Sequence, residues 1–465
     1  DAGEKVTVTL AGQTKTAEAC KEGKWSVKLD AVEAGGPYVL IVKGNNTLKV
    51  ADVLVGEVWI GSGQSNMAMT VSRSKDFEKE QAAANLPKLR MFTVSRKTAE
   101  TPQDDCTGSW QVSSPETVGG FSATAYFFGR ELHKDLGVPV GLINTSWGGT
   151  PVQAWTCLKV QKKLPALASM LKQWDDNIAS YDAEATKARY EKALATWKEK
   201  AAAAKAAGKP APRRPRGPTD PRTSPHRPAS LYNGMIAPLV PYAIRGAIWY
   251  QGESNAGRYN AGLYGLQLGS MISNWRNVWK QGDFQFLWVQ LPNFRTPQQQ
   301  PSEPSGWVTV REEMLETLSL ENTGMAITVD VGEEKDIHPK NKQDVGKRLA
   351  MWALATTYGK KVCQSGPIFK SMEKKDGKIV LNFDYACGGL TTACGCALKG
   401  FAVAGADKKF VWAEAKIDGD KVIVSSAAVK NPVAVRYAWA DNPECNLTNK
   451  PGLPASPFRT DDWDE

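Results

Sequence analysis

The sequence predicts an α/β protein: a three-layer sandwich around a mostly parallel sheet, with flanking β-sandwich-type modules. Three observations carry that expectation. Between residues 52 and 360, apolar runs of strand length alternate with amphipathic helical stretches, the pattern of a sheet buried on both faces. Towards both ends the pattern changes to short strand-like runs broken by Gly, Pro and Asn turns. The length of 465 residues exceeds one ordinary core, so the chain divides into a 1–51 N-terminal β-module, a 52–360 main domain and a 361–465 C-terminal β-module.

In the first module, Val6 to Leu10, "KWSVKLD" and "PYVLIVKG" read as strands, punctuated by Gly-Gly-Pro and Gly-Asn-Asn turns. A module of about 50 residues buries little by itself. After Ala51, "DVLVGEVWIGS" is a strand candidate, "TAYFFGRELHKDLG" an amphipathic helix closed by Gly137, and "VPVGLINTSW" a further strand. "AIRGAIWYQGES", "FQFLWVQLP" and "GMAITVDVG" continue the series before the helix "KQDVGKRLAMWALATTYG". Ligands collect at the carboxyl ends of strands in such sheets. From Pro367 onward "GKIVLNFDYA", "FVWAEAKIDGDKVIVSSAAV" and "PVAVRYAW" form a β-module of about 100 residues, sandwich-sized. Whether the two β-modules share one core is open at this stage.

A basic insertion at about 158–230 interrupts the main domain. It holds 16 Lys and Arg against 7 Asp and Glu, which accounts for the whole formal charge of +9. Leu167, Leu171, Trp174, Ile178, Tyr181, Ala185 and Ala188 recur three and four apart, so one helical stripe has something to pack against, and a Lys/Ala-rich tail follows. "GKPAPRRPRGPTDPRTSPHRP" reads as an extended loop. The segment is either a solvated surface arm or a basic rim that attracts an acidic glycan. No aromatic platform is interleaved with its arginines, so a nucleic-acid partner is not expected.

No apolar run approaches the roughly 20 residues that span a bilayer, so no membrane span is expected. The chain starts at Asp1 without a leader, as expected of a mature chain whose targeting segment is gone. Of eight cysteines, Cys387, Cys394, Cys396 and Cys445 crowd the C-terminal region, where one or two disulfides among them would tie down β-hairpins in an exported protein. The single-residue spacing of Cys394 and Cys396 is shorter than structural zinc sites use, and no metal is expected.

Chemistry is limited by the histidines. There are three, and an activated serine normally needs one as its base. His133 lies within an amphipathic helix and His226 in the Pro/Arg loop. His338, in "GEEKDIHPKNKQDVG", follows the strand "MAITVDV" at the carboxyl edge of the sheet. Ser65 is delivered to the same edge by the run from Val53 to Ile60 through Gly61 and Gly63. Ser62, Ser146 and Ser254 are rivals, the last within a near match to the G-x-S-x-G elbow. Sugar stacking would suit Trp147, Trp155, Trp249, Tyr250 and Tyr259, with core packing as the alternative for each.

"GQSNM", "INTSWGGTPVQAWT", "WYQGESNAGRYN" and "DIHPKNKQDVGKRLA" resemble, in this order, blocks of the sialate O-acetylesterases, a carbohydrate-esterase branch of the SGNH hydrolases. The resemblance runs from about Val6 to Arg459 and is weakest in the charged arm. It implies an SGNH hydrolase-like fold and a secreted or periplasmic serine esterase that needs no cofactor. Its substrate would be an O-acetylated glycan, deacetylated through an acetyl-enzyme. By the same resemblance Ser65 is the nucleophile and His338 the general base. The oxyanion would be held by the N–H groups of Ser65 and of Gly148 or Gly149, and by the Asn255 amide. Gln64, Trp147, Arg258 and Tyr259 would contact substrate. The acid is either Glu253 of "QGES" or Asp336, since Lys335 stands where the wider SGNH pattern has an Asp. Acetylated sialic acid is the implied substrate; acetylated xylan or xyloglucan, or a noncatalytic glycan-binding role, are the alternatives.

Overall fold

A central seven-stranded sheet organises the molecule, and the computed structural model describes residues 1–258 and 261–463 around it. Four strands precede this sheet: β1 (Lys5–Leu10), β2 (Gln13–Glu18), β3 (Gly35–Lys43) and β4 (Thr47–Val55), antiparallel in the order β2-β1-β3-β4. One sequence expectation fails here, because residues 24–30, which include "KWSVKL", form no strand. The turn at Ala11 and Gly12, both at positive φ, folds the polar strand β2 onto one edge of β1, and β3 takes the other. Residues 24–30 are left to run alongside, held where Asp30 bonds the Gln13 amide, with Trp25 exposed.

The central strands are β5 (Glu57–Gly63), β6 (Leu86–Thr93), β7 (Trp110–Ser113), β8 (Val140–Ser146), β9 (Gly246–Tyr250), β10 (Gln285–Val289) and β11 (Thr323–Ala326). Their order is β11-β10-β9-β5-β8-β6-β7, parallel throughout except that β7 runs antiparallel on β6. Alternate residues feed opposite faces, which is why these strands read as continuous apolar runs. Trp59, Ile248 and Leu287 join the helices Ala123–Leu136 and Lys342–Thr356 on one side. Ile60, Trp249 and Trp288 join the helices Tyr264–Trp279 and Gly306–Glu316 on the other. The result is the expected three-layer sandwich. Ser122 caps the first of these helices, and Gly137, at φ 70°, closes it as the sequence predicts.

Two predicted strands have different limits. "DVLVGEVWIGS" breaks at Gly56, where the chain leaves β4 for β5 in another sheet. "MAITVDV" pairs only as far as Ala326, because β11 is an edge strand with β10 as its one neighbour, and the chain beyond it is freed to form the loop that carries His338.

The C-terminal strands form two facing four-stranded antiparallel sheets and a short two-stranded ribbon. Ile379, Leu381, Val422 and Val424 of one sheet meet Phe401, Val403, Val435 and Phe458 of the other, and no residue of β1–β4 enters that core. The two β-modules therefore do not share one. Arg311 ties the sandwich to the α/β layers. Fully buried, it donates to the carbonyls of Leu291 and Pro292 on one side and of Ala440 and Asp441 on the other, over 2.7–2.9 Å. Burial lowers its pKa to about 10.

The cysteine expectation is met only in part. Disulfides join Cys363 to Cys387 and Cys394 to Cys396, whereas Cys445 is a free thiol packed beside Tyr437 and pushed by burial up to about 12. Cys363 was not among the residues the sequence singled out for pairing. In the basic insertion the predicted apolar stripe is buried at Leu167 and half-buried at Leu171, Trp174, Ile178 and Tyr181, then exposed at Ala185 and Ala188, and the helices Ala168–Ala179 and Ala183–Ala206 themselves contain no fully buried residue. The arm contacts itself, with Arg222 over Tyr181 and the Trp197 indole donating to Pro212. Among the described residues no helix is long and apolar enough to cross a membrane.

Candidate active site

Strands β8, β5 and β9 end level with one another, Gly63 being in register with Ser146 on one side and Tyr250 on the other. Gly63 sits at φ 137°, and any Cβ there would collide with the Tyr250 carbonyl. Only glycine therefore lets the chain turn across the end of β9. Gln64 N–H then donates to Tyr250 O (2.9 Å), and Ser65, half-buried, opens the short helix Ser65–Ala68.

On the β8 side the Trp147 N–H donates to Gly63 O (3.0 Å), which fixes the following loop over the turn. A Cβ on Gly148 would stand 3.3 Å from the Ser65 Cβ, so these backbones meet closely; nothing lies within 4 Å of the corresponding point on Gly149. Among the described residues neither the Ser65 N–H nor the Gly148 N–H has a hydrogen-bond partner. Two of the three rival serines are engaged elsewhere: the Ser62 hydroxyl donates to Thr145 O inside the sheet and that of Ser146 to Asn144, while Ser254 is held through its backbone N–H on Gln64. His133 Nδ1 bonds Val138 O at its helix end.

His338 lies in the loop after β11. Its Nδ1 is 3.4 Å from Asp336 Oδ1, an ion-pair distance longer than a good hydrogen bond, and its own N–H donates to the same oxygen (2.9 Å). Burial depresses its pKa below the ordinary histidine value, with Asp336 opposing and Lys342 and Arg73 assisting. No hydrogen bond joins Ser65 to His338 among the described residues. What couples their neighbourhoods is Asn66, whose side-chain amide donates to Ile337 O (3.0 Å) and to Glu253 Oε1 (2.6 Å) and accepts from Lys342 Nζ (2.7 Å).

Asn66 and Lys342 are the residues that sequence reasoning missed. Lys342 is fully buried; its ammonium also donates to Pro339 O (2.7 Å), faces the Tyr250 ring at 5.3 Å, and is brought by burial down to about 7. A signal existed, since Lys342 falls on the apolar stripe of its own helix with Val345, Leu349 and Trp352.

Several expected roles need correction. Glu253 is buried with its carboxyl on Asn66, its Oε2 without a partner and its pKa raised by burial; the carboxylate that meets His338 is that of Asp336. Asn255 is fully buried, and its amide donates to Gln267 (3.2 Å), with Gln153 at 3.5 Å, longer than a good hydrogen bond. Gln64 is 3 % exposed and accepts from Gln251 and from Ser254 N–H, which makes it a brace between two turns rather than a sugar contact. Trp155, Trp249 and Tyr250 are core residues. Trp147 is half-buried, with Arg96 above its ring. Tyr259 and the Arg258 side chain lie outside the described residues.

A serine at the carboxyl edge of a parallel sheet, with a glycine backbone close beside it and a histidine–aspartate pair in the loop that follows the edge strand, is an arrangement that suits a serine hydrolase. The comparisons with known proteins agree. A family model described as carbohydrate esterase, sialic acid-specific acetylesterase, matches residues 55–198 and 223–355, leaving out part of the basic arm. The chain is 30 % identical to the sialate O-acetylesterase of Rattus norvegicus, over 98 % of this chain and 89 % of that protein. It is 29 % identical to that of Homo sapiens, over 98 % and 87 %. A solved carbohydrate acetylesterase from Xanthomonas citri superposes with a TM-score of 0.83 at 38 % identity, covering 100 % of this chain and 94 % of that one. The chain belongs to the sialic acid-specific acetylesterase family of carbohydrate esterases.

Proposed function

We propose that the protein hydrolyses O-acetyl esters of sialic acids on glycans, with Ser65 as nucleophile, His338 as general base and Asp336 as the acid that orients it. The observation that carries this reading is the close meeting of Gly148 with Ser65, which leaves two unpaired backbone N–H groups beside one hydroxyl. Neutral His338 takes the Ser65 proton as Oγ attacks the acetyl carbonyl, and the oxyanion is held by the N–H groups of Ser65 and Gly148. The imidazolium, stabilised by Asp336, returns that proton to the departing sugar oxygen. Water then attacks the acetyl-enzyme, gives its proton through His338 to Ser65, and acetate leaves. The Asn66–Lys342–Glu253 cluster holds the nucleophile turn against the histidine loop and takes no proton in this cycle. The disulfides support a secreted or periplasmic location, since such bonds persist in oxidising compartments.

The test is acetate release by the wild type and Ser65→Ala, with O-acetylated sialic acid and acetylated xylan as parallel substrates. Release from the sialic acid that disappears in the variant is expected. Release from xylan alone would keep the chemistry and overturn the substrate, and activity surviving Ser65→Ala would overturn the nucleophile.

A further inference from the structure

A sialic acid differs from a neutral acetylated sugar in carrying a carboxylate, and a site that selects it needs a cation within reach of the nucleophile. Several arginines lie over aromatic rings, and most are also held by an acid: Arg130 by Glu80, Arg222 by Asp220, Arg295 by Asp441, Arg459 by Glu312. Arg96, with Cζ 5.7 Å from the Trp147 ring centroid, and Arg214, 5.8 Å from that of Trp197, have no ion-pair partner among the described residues. Arg214 belongs to the basic arm. Arg96 belongs to the site.

Its position is set by backbone. Val94 N–H donates to Asn144 O (2.9 Å), which extends the pairing of β6 with β8 past Thr93, and Ser95 N–H donates to Thr107 O (2.8 Å), so Arg96 emerges at the same carboxyl edge as Ser65. Trp147, beneath its guanidinium, is anchored through its N–H to Gly63 and precedes Gly148, which meets Ser65. Arg96 is itself exposed. A guanidinium held over an indole within cation–π reach keeps donors open to a planar carboxylate, which can bind it through two parallel hydrogen bonds.

We propose that Arg96, held on Trp147, binds the carboxylate of the acidic sugar whose acetyl ester lies at Ser65. This rests on the esterase reading above and names the group that makes the site selective for an anionic substrate. It requires no covalent step beyond that reaction.

The experiment compares wild type, Arg96→Met and Arg214→Met on three substrates: O-acetylated sialic acid, the methyl ester of its carboxyl group, and 4-nitrophenyl acetate. Arg96→Met is expected to lose about 10- to 100-fold in kcat/KM on the acid, mostly through KM, as suits one charge-assisted contact. It should match the wild type on 4-nitrophenyl acetate. The methyl ester should cost the wild type a similar factor and cost Arg96→Met nothing further. Arg214→Met should behave as wild type throughout. Equal losses on all three substrates, or a wild type indifferent to the methyl ester, would overturn the carboxylate seat while leaving the esterase intact. A wild type that cleaves 4-nitrophenyl acetate and not the sialic acid would overturn the substrate reading, and the seat with it.

Discussion

The substitution Asn66→Asp asks most of the buried cluster, because it keeps the shape of the side chain and changes one donor into an acceptor. In the native protein the Asn66 amide gives hydrogen bonds to Glu253 Oε1 at 2.6 Å and Ile337 O at 3.0 Å while accepting from Lys342 Nζ at 2.7 Å. The aspartate keeps the contact with Lys342 and turns the other two into oxygen facing oxygen. A buried bond to a charged group is worth about 1.5–3 kcal/mol and a neutral one about 1 kcal/mol, so the loss is about 2.5–4 kcal/mol before carboxylate repulsion is added. At about 2–4 °C per kcal/mol, the melting temperature should fall on the order of 10 °C. The deficit should depend on pH. Burial already raises Glu253, and a second carboxylate against it raises the pair further, so that it retains one proton. A folded pKa above the unfolded one gives stability that is full below the ordinary glutamate range of about 4.3 and is lost as pH rises through the folded value. The variant should therefore approach wild type in mild acid and fall away in mild alkali. Thermal melts across that range, with kcat measured in parallel, provide the check. A variant as stable and active as wild type above neutrality would refute the bridging role of Asn66.

Three further outcomes follow from the same geometry. Gly148→Ala puts a Cβ 3.3 Å from that of Ser65 at an exposed position with ordinary φ, so kcat should fall on the order of 10-fold or more with little change in melting temperature; unchanged kcat would argue that Gly148 gives no oxyanion contact. Because burial depresses the His338 pKa, kcat/KM should hold to a lower pH than an unperturbed histidine, at about 6.5, would allow. Asp336→Asn removes the group that opposes this depression, so the acid limb should move lower still while kcat drops. Cys363→Ser opens a loop closed over a separation of 24 residues, and should cost about 3 kcal/mol, read as a lower melting temperature; an unchanged one would argue that this disulfide does not support the fold.

Much of this architecture was legible because periodicity reports burial. The runs ending β5, β8 and β9 are apolar at every position since both faces are covered, and the four quoted motifs all fall around the carboxyl edge of that sheet. Where reading failed, the deciding interaction was remote in sequence. "KWSVKLD" alternates as a strand should, yet β2 and β3 already occupy both edges of β1. Asn255 and Gln64 look like site groups in their motifs, and the sequence does not show that Gln267 accepts from the Asn255 amide or that Gln251 donates to the Gln64 carbonyl oxygen. Asn66 holds the Glu253 carboxyl while Asp336 lies beside His338, a division that no spacing in the sequence encodes. Arg96 stands outside every motif, and only the packing of β6 beside β8 brings it to the edge.

The central claim is that Ser65 is the residue that carries the acetyl group. Treating the protein with a fluorophosphonate ester and sequencing the labelled peptide by mass spectrometry tests this directly. The label is expected on Ser65, with labelling suppressed by O-acetylated sialic acid and lost in His338→Ala. Label on Ser254, or on another serine while Ser65 stays unmodified in active protein, would contradict it.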